Sequence, residues 1–154
     1  MGSSNIFPSS TSSGTVTSPV AFTPTGGFNT NCSYEGYYWR EGKFLCCIGT
    51  IRFTGQPNLV NFTVDMPAGF NIDTGVLGTD FQNKNVGDVV MADTGVASYY
   101  GFLYPINTVS LGGLVFNAAS TYLAVQQISR VLPFTIGNLD TINYSFKVPC
   151  TQYT

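Results

Sequence analysis

The chain has no histidine among its 154 residues. That removes Ser-His-Asp and Cys-His catalysis, and the commonest metal ligand, in one step. Charge is scarce as well: charged residues make up 9% of the chain and the net charge is −2. The six basic residues, Arg40, Lys43, Arg52, Lys84, Arg130 and Lys147, stand singly, whereas counter-ion release from a phosphate backbone needs clustered Lys and Arg, so no nucleic-acid partner is expected. The apolar runs stop well short of the roughly 18 residues that cross a bilayer, which argues against a membrane partner. Met1-Gly2-Ser3-Ser4-Asn5 has no basic start and no apolar run after it, so no secretory signal is read and folding in a reducing cytoplasm is expected. Helix formers never gather into a 3.6-residue pattern, and Gly, Pro or Asn interrupts every window.

What remains is the usage of an all-β protein rich in turns: aromatic residues reach 14%, with abundant Gly, Ser, Thr and Asn. The length is that of one domain, enough to bury roughly 70% of the unfolded surface without a metal or disulfide. The stretch that organises the rest is Trp39-Arg40-Glu41-Gly42-Lys43, turning into an apolar run from Phe44 to Phe53. Phe44, Cys46 and Ile48 share one parity, and Leu45, Cys47, Ile51 and Phe53 the other. Alternate residues of a strand face opposite sides, so this strand is expected to be covered on both faces, by a further layer or by a subunit contact. A surface poor in charge points the same way, toward permanent contacts with copies of the chain or with a partner. The cysteines Cys32, Cys46, Cys47 and Cys150 match no zinc spacing and are read as buried thiols acting as small apolar residues.

Residues 1–18 form a Ser/Thr-rich arm with one apolar knot, Ile6-Phe7-Pro8, and residues 19–154 a single β-sandwich domain. Ile6 and Phe7 are what a docking anchor requires. Val20–Pro24 reads as a first strand, and the aromatic group Tyr34, Tyr37, Tyr38 and Trp39 leads into the organising strand. Val60, Phe62, Val64 and Met66 alternate with polar residues, the pattern of a half-exposed antiparallel strand. Residues 70–84 are loop-like. Val86–Met91 and Val96–Tyr104 pair through Ala92-Asp93-Thr94-Gly95, with weaker strands at Leu114–Phe116 and Tyr122–Val125. The last strand points Ile142, Tyr144, Phe146 and Val148 inward and Asn143, Ser145 and Lys147 outward. The expected fold is therefore an antiparallel β-sandwich or jelly roll of roughly eight strands.

Carboxylates are the remaining catalytic candidates: Glu35 with Glu41, or Asp80, Asp88 and Asp93, in principle the acid and base of a glycoside hydrolase. Each sits beside Gly or in a turn, where acids are ordinarily solvated turn-formers, so no catalytic residue, metal or cofactor is assigned and the chain is expected not to be an enzyme. Tyr34, Tyr37, Tyr38, Trp39, Tyr99 and Tyr100 have the chemistry of a sugar platform, since rings stack on sugar faces. Core and interface packing uses the same residues and is the preferred reading.

Trp39-Arg40-Glu41-Gly42-Lys43, Met66-Pro67-Ala68-Gly69 and the closing run from Asp140 to Pro149, with Phe22-Thr23-Pro24-Thr25-Gly26-Gly27-Phe28 at the start, resemble small β-sandwich domains of tailed-phage virion proteins over roughly residues 20–150. Lys43 stands where those domains carry Asp, Met66 where they carry Leu, and the final Gly-Trp common to them is missing. The resemblance implies a virion part assembled in the host cytoplasm, usually a homotrimer. It implies either a capsid cement (decoration) protein, whose partner is the major capsid protein, or a receptor- or glycan-binding fibre head. A short chain with an anchor-bearing arm and no fibrous shaft leans to the cement. The expected interface anchors are Ile6, Phe7, Tyr37, Tyr38 and Trp39, because buried aromatics carry most contact energy.

Overall fold

A computed structural model describes residues 15–117 and 124–153. The chain folds as antiparallel strands with almost no helix. They are β1 (Val20–Phe22), β2 (Cys32–Glu41), β3 (Phe44–Thr54), β4 (Thr63–Asp65), β5 (Gly87–Asp93), β6 (Ala97–Pro105), β7 (Ser110–Asn117), β8 (Ala124–Gln127) and β9 (Asn138–Pro149). The loop-like stretch after β4 holds one short α-helix, α1 (Thr74–Leu77), and a 3-10 turn, Phe81–Asn83; α1 is started by Asp73, whose carboxylate accepts from the backbone N–H groups of Gly75 and Val76.

The longest ladders are built around β3. A two-residue turn at Gly42 and Lys43 joins it to β2, with Glu41 opposite Phe44. Gly42 has a φ of 61°, a conformation that is cheap without a Cβ. On its other side β3 pairs with β9 in unbroken register from Phe44 opposite Pro149 to Arg52 opposite Thr141. The sheet then runs through β5, β6 and β7 to β4, with β8 also on β7. It does not stop there, because the segment following β1 pairs back onto β4. Gly26 bridges Val64, the Gly27 N–H donates to Thr63 O at 3.2 Å and the Asp65 N–H to Thr25 O at 2.8 Å. The Asp65 carboxylate fastens this seam, accepting from the hydroxyls of Thr25 at 2.9 Å and Ser110 at 2.7 Å. The sheet therefore closes around one core as a flattened sandwich.

That core collects one parity from each strand: Leu45, Cys47, Ile51 and Phe53 of β3, Ile142, Tyr144, Phe146 and Val148 of β9, Val89 and Met91 of β5, Leu103 of β6, and Leu111 and Val115 of β7. Phe28 and Phe62 fill the middle, Phe28 packing edge-on to Phe53 at 5.6 Å and Phe62 meeting Tyr144 at 6.5 Å between ring centres. Burial of these side chains is the dominant stabilising term, about 1.5–3 kcal/mol for each large one. The Tyr144 ring lies over Gly49, opposite it in register, so closely that a Cβ on Gly49 would stand 2.2 Å from the ring.

The inward faces of β3 and β9 match the sequence expectation, and Asn143 and Lys147 are exposed on the outside. On the outer face of β3, the first of the two covers that its apolar run implied, a further layer, is missing among the described residues. Cys46 is covered, but Phe44 is 38% and Ile48 45% exposed, and no further layer of the described chain lies over them. Val60 is exposed too, because regular pairing of its strand is confined to Thr63–Asp65. Within the stretch read as arm, residues 15–17 continue the sheet: the Gly42 N–H donates to Thr15 O, the Thr17 N–H to Arg40 O, and Val16 bridges Glu41.

Candidate functional surface

Alternation along β2 splits the aromatic corner between two faces. Tyr34 and Tyr38 turn inward. Tyr34 Oη donates to Phe28 O at 2.8 Å, and Tyr38 packs edge-on to Phe22 and Phe70, both at 5.4 Å. Tyr37 and Trp39 turn outward, opposite Ile48 and Cys46 of β3. With Phe44 they form an apolar patch on the outside of the β2–β3 hairpin, Tyr37 being 49% exposed. Of the expected anchors, the structure thus brings Tyr37 and Trp39 together on one surface and sends Tyr38 to the core side. Ile6 and Phe7 lie outside the described residues.

An ion pair bounds this first patch at each end. Arg52 Nη2 donates to Glu35 Oε1 at 2.8 Å on one side, and Lys147 Nζ to Glu41 Oε2 at 2.6 Å on the other. Trp39 Nε1 donates to Glu41 Oε1 at 2.8 Å, which fixes the indole against Cys46. The hydrogen bond from Lys147, with that from Trp39, holds the Glu41 carboxyl below the usual carboxylate range, and the same contact raises Lys147. Both carboxylates are thus engaged in ion pairs. Asp80 and Asp93 lie apart from them, in or beside turns, whereas Asp88, outward on β5, shares one depression with Trp39, Glu41 and Lys147. Among the described residues, no three His, Cys, Asp or Glu side chains group as metal ligands, and no helix is long and apolar enough to cross a membrane.

Beside Tyr37 lies a shallow depression of about 260 Å³ lined by Glu35, Gly36, Tyr37, Ile48, Thr50 and Asn143, among others. Thr50 Oγ1 donates to Asn143 Oδ1 across its floor at 2.8 Å.

A second outward apolar patch occupies β5 to β8. Tyr100 is 63% exposed, Phe116 43% and Val125 47%, joined by Val90, Phe102 and Leu114. The Phe102 and Phe116 rings meet at 6.1 Å, and Phe116 stands opposite Val125. Of this patch only Tyr100 stands out as a candidate in the sequence. Its signal was there in the parity Tyr100, Phe102, Tyr104, set against Gly101 and Leu103 facing in.

The cysteines are free among the described residues, with Cys46, Cys47 and Cys150 buried. Burial pushes the thiols of Cys46 and Cys150 up to about 11 and that of Cys47 to about 12, so they pack as small apolar groups and stay protonated at neutral pH.

No protein-family model and no curated protein matches the sequence. Among solved structures the chain is similar to avian reovirus sigmaC117-326 in its C2 crystal form, with a TM-score of 0.43 and 12% identity, over 88% of this chain and 63% of that one. The chain thus spans less than two thirds of that structure's length.

Proposed function

We propose that this chain is a structural part of a virion that works by contact and catalyses no reaction. It assembles with copies of itself as a homotrimer and fastens to the major capsid protein as a cement. The observation that carries the self-association is the outward Tyr37–Ile48–Phe44 surface, apolar, rimmed by satisfied ion pairs and backed by the longest ladders of the sheet. That is the anatomy of an interface core with a polar rim. The virion and the trimer come from the resemblance of the Trp39–Lys43, Met66–Gly69 and Asp140–Pro149 runs to phage virion domains.

The test is sedimentation of the purified protein alone and with virion shells. Trimers that pellet with shells support the cement. Trimers that ignore shells remove the capsid partner from the account.

A second reading, a glycan-binding fibre head, is favoured by the depression beside Tyr37, where an exposed ring stands next to Glu35, Thr50 and Asn143. It expects a free sugar to bind the isolated protein and Tyr37→Ala to abolish that binding; a protein that binds no sugar sinks it.

A further inference from the structure

Two depressions lie side by side on the outward face of β2, β3, β9 and β5, and Ile48 lines both as the ridge between them. One, of about 260 Å³, is the one beside Tyr37. The other, of about 320 Å³, holds Trp39, Asp88, Ser145 and Lys147. Register puts Tyr37, Ile48, Ser145 and Asp88 in one row across the four strands. Glu35, Thr50 and Asn143 form the row on one side of it, and Trp39, Cys46 and Lys147 the row on the other.

The same ingredients therefore occur twice. Each depression has an aromatic side chain from β2, a hydrogen-bonding side chain from β9 and a carboxylate: Tyr37, Asn143 and Glu35 in the first, Trp39, Ser145 and Asp88 in the second. The two rings stand two residues apart on one strand, about 6.6 Å. A set of groups repeated at the strand period suits a ligand that is itself built of repeating units.

The groups left unspent select its chemistry. Asp88 and Ser145 have no side-chain hydrogen-bond partner among the described residues. Asn143 has committed its Oδ1 to Thr50 and keeps its amide N–H donors. Glu41 is held by Trp39 and Lys147, and these bonds fix the indole before any ligand arrives. A carboxylate, a hydroxyl and an amide beside an aromatic ring are met together by a molecule that carries hydroxyls around a C–H face, which is a sugar. Asp88 accepts from hydroxyls and repels an anionic group, so the units are neutral. An extended peptide fits poorly for a different reason: the backbone under the groove is spent in the β2–β3, β3–β9 and β9–β5 ladders, so no strand edge is offered to it.

We infer that the two depressions are subsites of one groove for a chain of neutral sugars at least two units long, one unit against Tyr37 and the next against Trp39. This rests on the glycan reading given second above, and adds the second subsite and the length of the ligand. Ile48 also belongs to the contact between copies proposed first, so sugar and a second copy compete for this face.

The test is titration of the full-length chain, by saturation-transfer-difference NMR and calorimetry, with glucose, galactose and N-acetylglucosamine and with their linear homo-oligomers of two to six units. In the series that binds, the two- or three-unit oligomer should bind at least tenfold tighter than its monomer. Asp88→Ala should weaken the oligomer about tenfold or more, the effect of losing a hydrogen bond to a charged group, and leave the monosaccharide at Tyr37 unchanged. Ser145→Ala, which alters no charge, should act in the same direction. Binding that gains nothing with length, or oligomer binding that both variants leave unchanged while Tyr37→Ala abolishes it, overturns the two-subsite groove and leaves the glycan reading standing. A protein that binds no sugar of any length overturns both.

Discussion

Tyr37 and Ile48 stand opposite each other on β2 and β3, both pointing away from the core and both close to half exposed. Directly beside them in the same ladder, Gly36 opposes Gly49, and there the inward side is filled by the ring of Tyr144. The hairpin thus has two different sides: one packed against the protein's own core, the other apolar and without a covering layer among the described residues.

Gly49→Ala should be destabilising although alanine is small. Its Cβ would stand 2.2 Å from the Tyr144 ring, and that ring is held by the core, so overpacking costs about 1–3 kcal/mol. Urea denaturation checks this. Tyr144→Phe in the same background should recover little, because the phenyl ring still lies over residue 49. An unchanged midpoint for Gly49→Ala would mean that the ring moves freely.

Asp65→Ala should loosen the seam. The carboxylate accepts from Thr25 and Ser110 on its two sides, and the loss of two such bonds to a charged group amounts to about 3–6 kcal/mol. Thr25→Val and Ser110→Ala should each lose part of it. Faster amide exchange at Gly27 and Asp65, whose N–H groups cross the seam, should accompany the loss.

The thiols give a pH dependence with a definite sign. Burial raises Cys46, Cys47 and Cys150 from 9.0 to about 11 or 12, so above the ordinary thiol range the unfolded chain releases protons that the folded chain keeps. Stability should be flat below pH 9 and fall as the pH rises toward those values. At neutral pH, iodoacetamide should modify Cys32 first and the other three only on unfolding. Rapid labelling of Cys47 in the folded protein would contradict its burial.

Much of the fold was legible in the sequence because period-2 alternation carries it. Ile142 to Val148 and Leu45 to Phe53 faced inward as their parity required, and Gly95 and Pro67 stood where turns or strand ends formed. What alternation does not encode is which strands become neighbours across long connections. The insertion of β9 between β3 and β5 and the closure at Gly26 and Val64 depend on contacts far apart in the chain. The site was half legible for the same reason. Tyr37, Trp39 and the apolar Phe44–Ile48 parity were readable, but Tyr38 was grouped with its neighbours by aromatic character although alternation sends it inward. The second patch drew attention only at Tyr100, because Phe102, Phe116 and Val125 become one surface only after β6, β7 and β8 pair.

The central claim is that the outer face of the hairpin is a contact between copies. The most direct measurement is sedimentation equilibrium of the wild type beside a Tyr37→Ser/Ile48→Ser double variant. Both side chains are removed from an exposed surface, so fold and melting temperature should change little. The expected result is a trimer for the wild type and a folded monomer for the variant. A variant that keeps the wild-type mass, or a wild type that stays monomeric at every concentration, would contradict the claim.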